Sequence, residues 1–324
     1  MSVHPFEIPN LRLIFVSDNS SAALVFFELT EIKMGFVAEL RTIRNFIREF
    51  GLLDCIDAIR KGLFFQDTKL SRQLLARGGG IVSLRLDKLK FPLFIRPGDS
   101  DWMVFNKVFL EKEYKEPSEA HATQLQAAYA RVVARGKRPI IIDCGANVGF
   151  ASIWFARHFP KAVIFAVEPQ SDNFMLLKKN TESYPNIKCI NAGISDVPGR
   201  IELADGAHKS WAFHFVESSG GQVVLTTMYE LFAEVGDDAV LIVKIDIEGF
   251  EKQLFRSNTE WMGDVPLIVA ETHDWLFPWH GSAHALYSKF EIEDVRDAIR
   301  NGENDFFYSH RLLKPPVCLE LDKQ

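Results

Sequence analysis

Hydrophobic positions along the chain follow two rhythms. Between residues 31 and 75, Phe36, Val37, Leu40, Ile43, Ile47 and Phe50 recur at three- and four-residue steps, and Leu52, Leu53, Ile56, Ile59 and Leu63 continue them past Gly51. This spacing predicts two amphipathic helices with Lys and Arg on much of the other face. They read as a cap on a larger domain, with a partner-binding or membrane-surface role as the weaker alternative. Residues 11–29 are apolar but are broken by Arg12, Asp18, Asn19 and Glu28. A membrane span needs about 20 mostly apolar residues, so this stretch reads as buried strands and no span is expected.

After the break at Gly78-Gly79-Gly80, residues 81–96 hold strand-like runs, among them the alternating Ser83-Leu-Arg-Leu-Asp87. The turn composition of Pro97-Gly98-Asp99-Ser100-Asp101 predicts a helix from Trp102 capped by Ser100 or Asp101. From Pro139 the rhythm changes to short apolar runs separated by helical stretches. Strands are predicted at residues 139–143, 162–167, 187–190, 240–245 and 267–270. One helix is expected through Trp154 and His158, another over residues 172–180, with Ser171 or Asp172 as its cap. Continuous apolar strands joined by helices imply a mostly parallel sheet covered on both faces, a doubly wound α/β fold. Residues 1–80 are therefore an N-terminal extension, mostly helical with some strand. Residues 81–324 form the main domain, with a core at about 139–274.

Composition narrows the function classes. The 324 residues carry 37 Lys and Arg against 43 Asp and Glu, a net charge of −6, so the basic stripe of a nucleic-acid binder is not expected. Cys55, Cys144, Cys189 and Cys318 make no C-x-x-C pair, which argues against a disulfide scaffold or zinc knuckle. The first residues lack the basic-then-apolar order of a signal peptide. A soluble, cytoplasmic protein is expected.

The chemistry concentrates where strands end. Ile140-Ile-Ile-Asp143-Cys-Gly145-Ala146-Asn147-Val-Gly149 runs from a strand through a Gly-rich turn into a helix. Ligands of such sheets sit outside the strands' carboxyl ends, and glycines let backbone approach them closely. The spacing is not the Gly-x-Gly-x-x-Gly that cradles a pyrophosphate. An acid before the first glycine suits the ammonium group of S-adenosylmethionine better than a phosphate. Glu168, followed by Pro169, ends the next strand, where a carboxylate accepts hydrogen bonds from ribose hydroxyls. Asn191-Ala-Gly193-Ile194-Ser195-Asp196 leaves the third strand and offers small and apolar surfaces to an adenine ring. Lys244, Asp246 and Glu248 alternate along one side of a further strand, and Glu271 and His273 along another.

Taken in order, Asp143-Cys-Gly-Ala-Asn-Val-Gly149, Val167-Glu-Pro169, residues 191–196, Lys244-Ile-Asp-Ile-Glu-Gly-Phe-Glu251 and Glu271-Thr-His273 resemble the FkbM methyltransferases. Ile95-Arg-Pro-Gly-Asp-Ser-Asp-Trp102, with Glu113-Tyr114 downstream, is similar to that family's lead-in. The resemblance covers roughly residues 86–274. It implies a class I (Rossmann-like) methyltransferase fold and S-adenosylmethionine-dependent O-methylation of a sugar, glycolipid or natural-product hydroxyl. Thr227-Met-Tyr-Glu-Leu231 departs from the family's Thr-Leu-Asp-Asp-Leu. The segment with Trp275, Trp279, His280 and His284 matches no family pattern, so the acceptor is left open.

Asp143, Gly145, Ala146, Asn147, Gly149, Glu168, Pro169, Gly193 and Ile194 are the expected cofactor residues. His273, Asp246 and Glu271 are expected around the acceptor, with His273 as general base because its ordinary pKa lies nearest neutrality. No metal centre is expected; a divalent cation on Asp246, Glu248 or Glu271 is the weaker alternative. The alternative functions are an NAD-dependent oxidoreductase and a non-catalytic nucleoside-binding module.

Overall fold

The computed structural model describes residues 5–8, 11–16, 24–28, 34–60, 63, 80–203, 215–217, 223–290 and 294–313. It divides into two compact units, residues 1–102 and 103–324. In the first unit, strands β1 (Pro5–Ile8), β2 (Leu11–Val16) and β3 (Leu24–Glu28) form an antiparallel sheet. Helices Met34–Phe50 and Leu52–Arg60 follow, with Gly51 between them at φ 98°. Ile43, Phe46, Phe50, Cys55 and Ala58 are buried, as the three- and four-residue spacing requires. The helical reading of residues 64–75, and Gly78 and Gly79, lie outside the described residues. Strands β4 (Val82–Leu84) and β5 (Leu93–Ile95) pair as a hairpin in this same unit. A helix does begin at Asp101, but the Asp101 carboxylate holds Arg96, accepting from its backbone N–H at 2.7 Å and from its guanidinium at 2.7 and 3.0 Å.

The second unit is built on a seven-stranded sheet. Its strands are β6 (Pro139–Cys144), β7 (Val163–Val167), β8 (Ile187–Ile190), β13 (Ala239–Ile245), β14 (Leu267–Glu271), β15 (Arg296–Asn301) and β16 (Asn304–Ser309), in the order β15-β16-β14-β13-β6-β7-β8. The pairs from β8 through β14 are parallel, and β16 runs antiparallel to both of its neighbours. This is the mostly parallel, doubly wound α/β arrangement that the sequence predicts. Every residue of β6 and β14 is buried, which is why these strands read as unbroken apolar runs. Ile140, Ile142, Val243, Ile245 and Ile268 pack into one core with Leu231, Phe255, Trp261 and Phe307. The crossover helices Phe150–His158 and Ser171–Thr181 follow β6 and β7. Among the described residues, no helix is long and apolar enough to cross a membrane.

Two parts of this unit go beyond what the sequence pattern predicts. The hairpin β15–β16 completes the sheet beyond residue 274, and among the described residues β15 pairs with β16 alone. Residues 193–195, loop-like in sequence, form strand β9 (Gly193–Ser195) of a second sheet with β10 (Gly199–Leu203), β11 (Phe215–Glu217) and β12 (Val223–Thr227). The helix at Ser171 is capped by neither Ser171 nor Asp172: the Gln170 side chain accepts from the Asn173 N–H.

Thr227-Met-Tyr-Glu proves to be a capping box opening helix Met228–Val235. Thr227 Oγ1 accepts from the Glu230 N–H at 3.2 Å, and Glu230 accepts the Thr227 N–H at 2.9 Å. Thr227→Ala is expected to lower stability by about 1 kcal/mol, measured by denaturant unfolding.

Candidate functional site

The β6 strand ends in a turn that only a few residues can make. Gly145 and Gly149 have φ of 79° and 91°, and Asn147 also has a positive φ, 49°. A Cβ added at Gly145 would lie 1.8 Å from the Asp246 carbonyl oxygen, so glycine is what lets β6 and β13 approach there. The Gly145 and Ala146 N–H groups donate to the Val167 carbonyl at 3.0 and 2.9 Å, tying the turn to the end of β7. Glu168, one residue on, accepts the Asn147 N–H on Oε2 and the Gln170 N–H on Oε1, both at 2.9 Å. Burial pushes this carboxyl up to about 7, against the two backbone donors that favour its ionised form.

These pieces wall a cleft of about 640 Å³. Of the residues expected at the cofactor, Gly145, Asn147, Glu168, Pro169, Gly193 and Ile194 line it, and so do Asp246 and Glu248. Ala146, Gly149 and Asp143 stand behind the wall. Ala146 is buried, and a Cβ on Gly149 would meet Leu177 at 2.7 Å, so these two shape the turn and its helix. The second sheet contributes Ile201 and Leu225, which sequence reasoning missed along with Asn173 and Phe250. Asn173 had a signal, lying on the helix that follows Glu168; Ile201 and Leu225 had none, because only the long-range β9–β12 pairing brings them in.

Asp143 is fully buried and its carboxylate is already engaged. Ser152 Oγ donates to it at 2.6 Å, and the Lys244 ammonium lies 3.2 Å away. Lys244, itself 2% exposed, also lies 3.4 Å from Asp246 and donates to the Gly145 carbonyl at 2.7 Å. Burial disfavours its charge, but Asp143 and Asp246 outweigh that and hold its pKa above the ordinary value. Asp143 thus reaches the turn through Lys244 rather than reaching into the cleft.

Next to Asp246 and Glu248 the site is strongly acidic. Asp246, Glu248, Glu251 and Glu271 surround His273, whose side chain is 1% exposed. The His273 Nδ1 lies 2.7 Å from Glu251 Oε1; Nε2 lies 3.3 Å from Glu248 Oε2 and 3.6 Å from both Asp246 Oδ1 and Glu271 Oε1. Burial works against the imidazolium, yet the Glu251 hydrogen bond and the charge of Asp246 raise its pKa to about 9. His273 is therefore brought to the site as expected, but in the opposite protonation state to that of a resting general base. Burial and the Asp246 charge push Glu271 up to about 7 and Glu248 to about 9, while Lys244 and His273 overcome burial to keep Asp246 below its usual value. Glu248 holds a strained φ of 54° beside this cluster. Glu113, which in the sequence stands only in the lead-in, feels Asp246 and Glu271 here and is pushed up to about 8, chiefly by burial.

Beyond Glu248 a second, wider cleft of about 1240 Å³ is lined by Gly249, Phe250, Lys252, Phe277, His280 and Lys289. Asp274 fixes the loop over it by accepting the N–H groups of Gly281, Ser282 and Ala283 at 2.8 Å each. The helix there runs Ser282–Tyr287, so His280 precedes it and does not share a helical turn with His284.

The model of the family described as "Methyltransferase FkbM domain" matches residues 143–301. Hexuronic acid methyltransferase AglP of Haloferax volcanii is 26% identical over 174 residues, which span 53% of this chain and 70% of that protein. 2-O-methyltransferase NoeI of Sinorhizobium fredii is 24% identical over 155 residues, 42% of this chain and 64% of that one. Among solved structures, the bifunctional kinase-methyltransferase WbdD aligns with a TM-score of 0.33 at 12% identity, over 64% of this chain and 41% of that chain. The matched segment begins at Asp143 and takes in every residue that lines the smaller cleft. Residues 143–301 carry an FkbM methyltransferase domain.

Proposed function

We propose that the 640 Å³ cleft binds S-adenosylmethionine and that the enzyme transfers its methyl group to a hydroxyl of a carbohydrate or carbohydrate-bearing small molecule. The observation that carries this reading is the cleft's lining, which combines the Glu168 carboxylate, apolar Ile194, Ile201 and Leu225, and the carboxylates of Asp246 and Glu248. Glu168 accepts the ribose hydroxyls, the apolar side chains take the adenine, and Asp246 and Glu248 receive the cationic sulfonium and ammonium groups. Asn147 and Gly145 meet the ligand through backbone, and Asp143 supports that turn through Lys244. The relatives' activities on a hexuronic acid and at a 2-O position support a sugar hydroxyl as acceptor. The wider cleft, which shares Glu248 and Phe250 with the smaller one, is its approach.

Methyl transfer is a displacement in which the acceptor oxygen, methyl carbon and sulfur must be aligned while the hydroxyl loses its proton. His273 is charged near neutrality and orients Asp246 and Glu271 rather than accepting that proton itself. Free thiols at Cys55, Cys144 and Cys189 fit a reducing, cytoplasmic setting. The test is methyl transfer from labelled S-adenosylmethionine to a panel of sugars, glycolipids and macrolides, read by mass spectrometry. A thermal melt that shifts with NAD and not with S-adenosylhomocysteine would sink the reading.

Glu168 gives this proposal a pH signature. Its folded-state pKa of about 7 exceeds the ordinary 4.5, so the empty fold holds a proton there that the unfolded chain has lost. That contribution to stability is complete below the ordinary value and disappears as pH rises through about 7. Ribose hydroxyls donate to the ionised form, so S-adenosylhomocysteine affinity should rise several-fold between about pH 6 and 8. Glu168→Gln should flatten that rise. Glu168→Ala should raise the S-adenosylmethionine KM about 10- to 100-fold with kcat nearly unchanged, the loss of hydrogen bonds with one charged side. Calorimetry across pH, with steady-state kinetics, checks all three.

A further inference from the structure

We infer that Asp246, Glu271 and His273 form a divalent-cation site, of the class that takes manganese or magnesium, where the cofactor cleft meets the acceptor. The inference rests on reading that cleft as the methyl-transfer site and departs from the expectation of no metal centre. One ligand atom from each of the three residues lies within 4.8 Å of the others. Adjacent ligands of an octahedral ion at about 2.1 Å stand about 3 Å apart. The 3.6 Å from His273 Nε2 to Asp246 Oδ1 and to Glu271 Oε1 leaves little more than half an ångström to close.

Two further observations point to a cation rather than to an incidental acidic patch. The first is the setting of His273. The Glu251 side chain is 0% exposed and its carboxylate takes the hydrogen on Nδ1, so Nε2 is turned toward the carboxylate oxygens of Glu248, Asp246 and Glu271. A carboxylate that fixes the far nitrogen in this way is the usual outer partner of a metal-bound histidine. The second is Asp246, whose Oδ1 is sealed from solvent and receives no hydrogen bond, although the same residue lines the cofactor cleft. A cation at this point satisfies that buried acceptor.

Two carboxylates and one imidazole, with no thiolate, suit hard, oxygen-preferring ions, and the imidazole favours manganese over magnesium. An ion here would bind the acceptor hydroxyl and lower its pKa. The hydroxyl proton passes to water, the oxygen forms its bond to the methyl carbon, and the carbon–sulfur bond breaks. The products are the methyl ether, S-adenosylhomocysteine and a proton.

The test uses the full chain stripped with chelator and titrated with manganese, bound ion being read as loss of the free-ion electron paramagnetic resonance signal. One manganese per chain at micromolar concentration is expected. Glu271→Gln, which keeps shape, and Glu251→Gln, which disturbs only the outer partner, should each weaken binding about 10- to 100-fold. S-adenosylhomocysteine is added in a parallel thermal melt of all three proteins, and a retained shift shows that the variants are folded. No binding by the wild type at millimolar manganese, or undiminished binding by both folded variants, would overturn the site. Manganese binding without an S-adenosylhomocysteine shift in the wild type would uphold the ion site and remove the cofactor reading instead.

Discussion

Lys244→Met is expected to lower the unfolding free energy by about 3–5 kcal/mol, the cost of stranding buried charge by removing its partner. Lys244 is 2% exposed; its ammonium lies 3.2 Å from Asp143 and 3.4 Å from Asp246, and donates to the Gly145 carbonyl at 2.7 Å. Methionine fills much of the same volume, so packing changes little while two carboxylates lose their counter-charge. Domains are typically stable by about 5–15 kcal/mol, so the variant should show a much reduced urea midpoint and poor soluble yield. Adding Asp143→Asn should recover part of the loss, because it removes one stranded charge while keeping an acceptor for Ser152, which lies 2.6 Å away. A single-variant loss below about 1 kcal/mol would mean that the buried pair is not held as ions.

Gly145→Ala should nearly abolish S-adenosylhomocysteine binding, by about 100-fold or more, with a smaller loss of stability. The left-handed backbone at φ 79° disfavours a side chain by about 1–2 kcal/mol. The new methyl would also sit 1.8 Å from the Asp246 carbonyl oxygen, backbone that cannot swing aside. The end of β13 must move, and it carries Asp246, a wall of the cofactor cleft. Gly149→Ala is the control. Its added Cβ meets the end of the Leu177 side chain at 2.7 Å, away from the cleft, so stability should suffer more than affinity. Calorimetry beside denaturant unfolding separates the two effects. Equal affinity for wild type and Gly145→Ala would place the ligand elsewhere.

The central strands were legible because both their faces are covered. Ile140, Ile141 and Ile142 are all buried, and a strand buried on both faces has no polar side to alternate with its apolar one. The second sheet was not legible, because β9 is three residues long and finds its partner at Leu225, far along the chain. Strand β15 hid for the opposite reason: Arg296, Asp297 and Arg300 give it the composition of a loop. Glu168, Gly193 and Ile194, picked out by their place at strand ends, do line the smaller cleft. The position of Asp143 was visible, but its engagement was not, since Lys244 reaches it across the β6–β13 pair. The charge state of His273 was hidden for the same reason, because Glu251 comes from a separate element.

Among the described residues β15 has β16 as its one partner, which sets a row of its backbone donors and acceptors at the rim of the sheet. Such a rim is a ready template on which another chain could add a strand and begin to aggregate. Here Asp297 and Arg300 stand on it with side chains 49% and 64% exposed, and each is already engaged: Asp297 with His121 and His310, Arg300 with Asp305. An incoming strand would have to displace these pairs and leave charge against its own backbone. The polar composition that disguised β15 in the sequence is thus what keeps the open edge of the sheet from recruiting a neighbour.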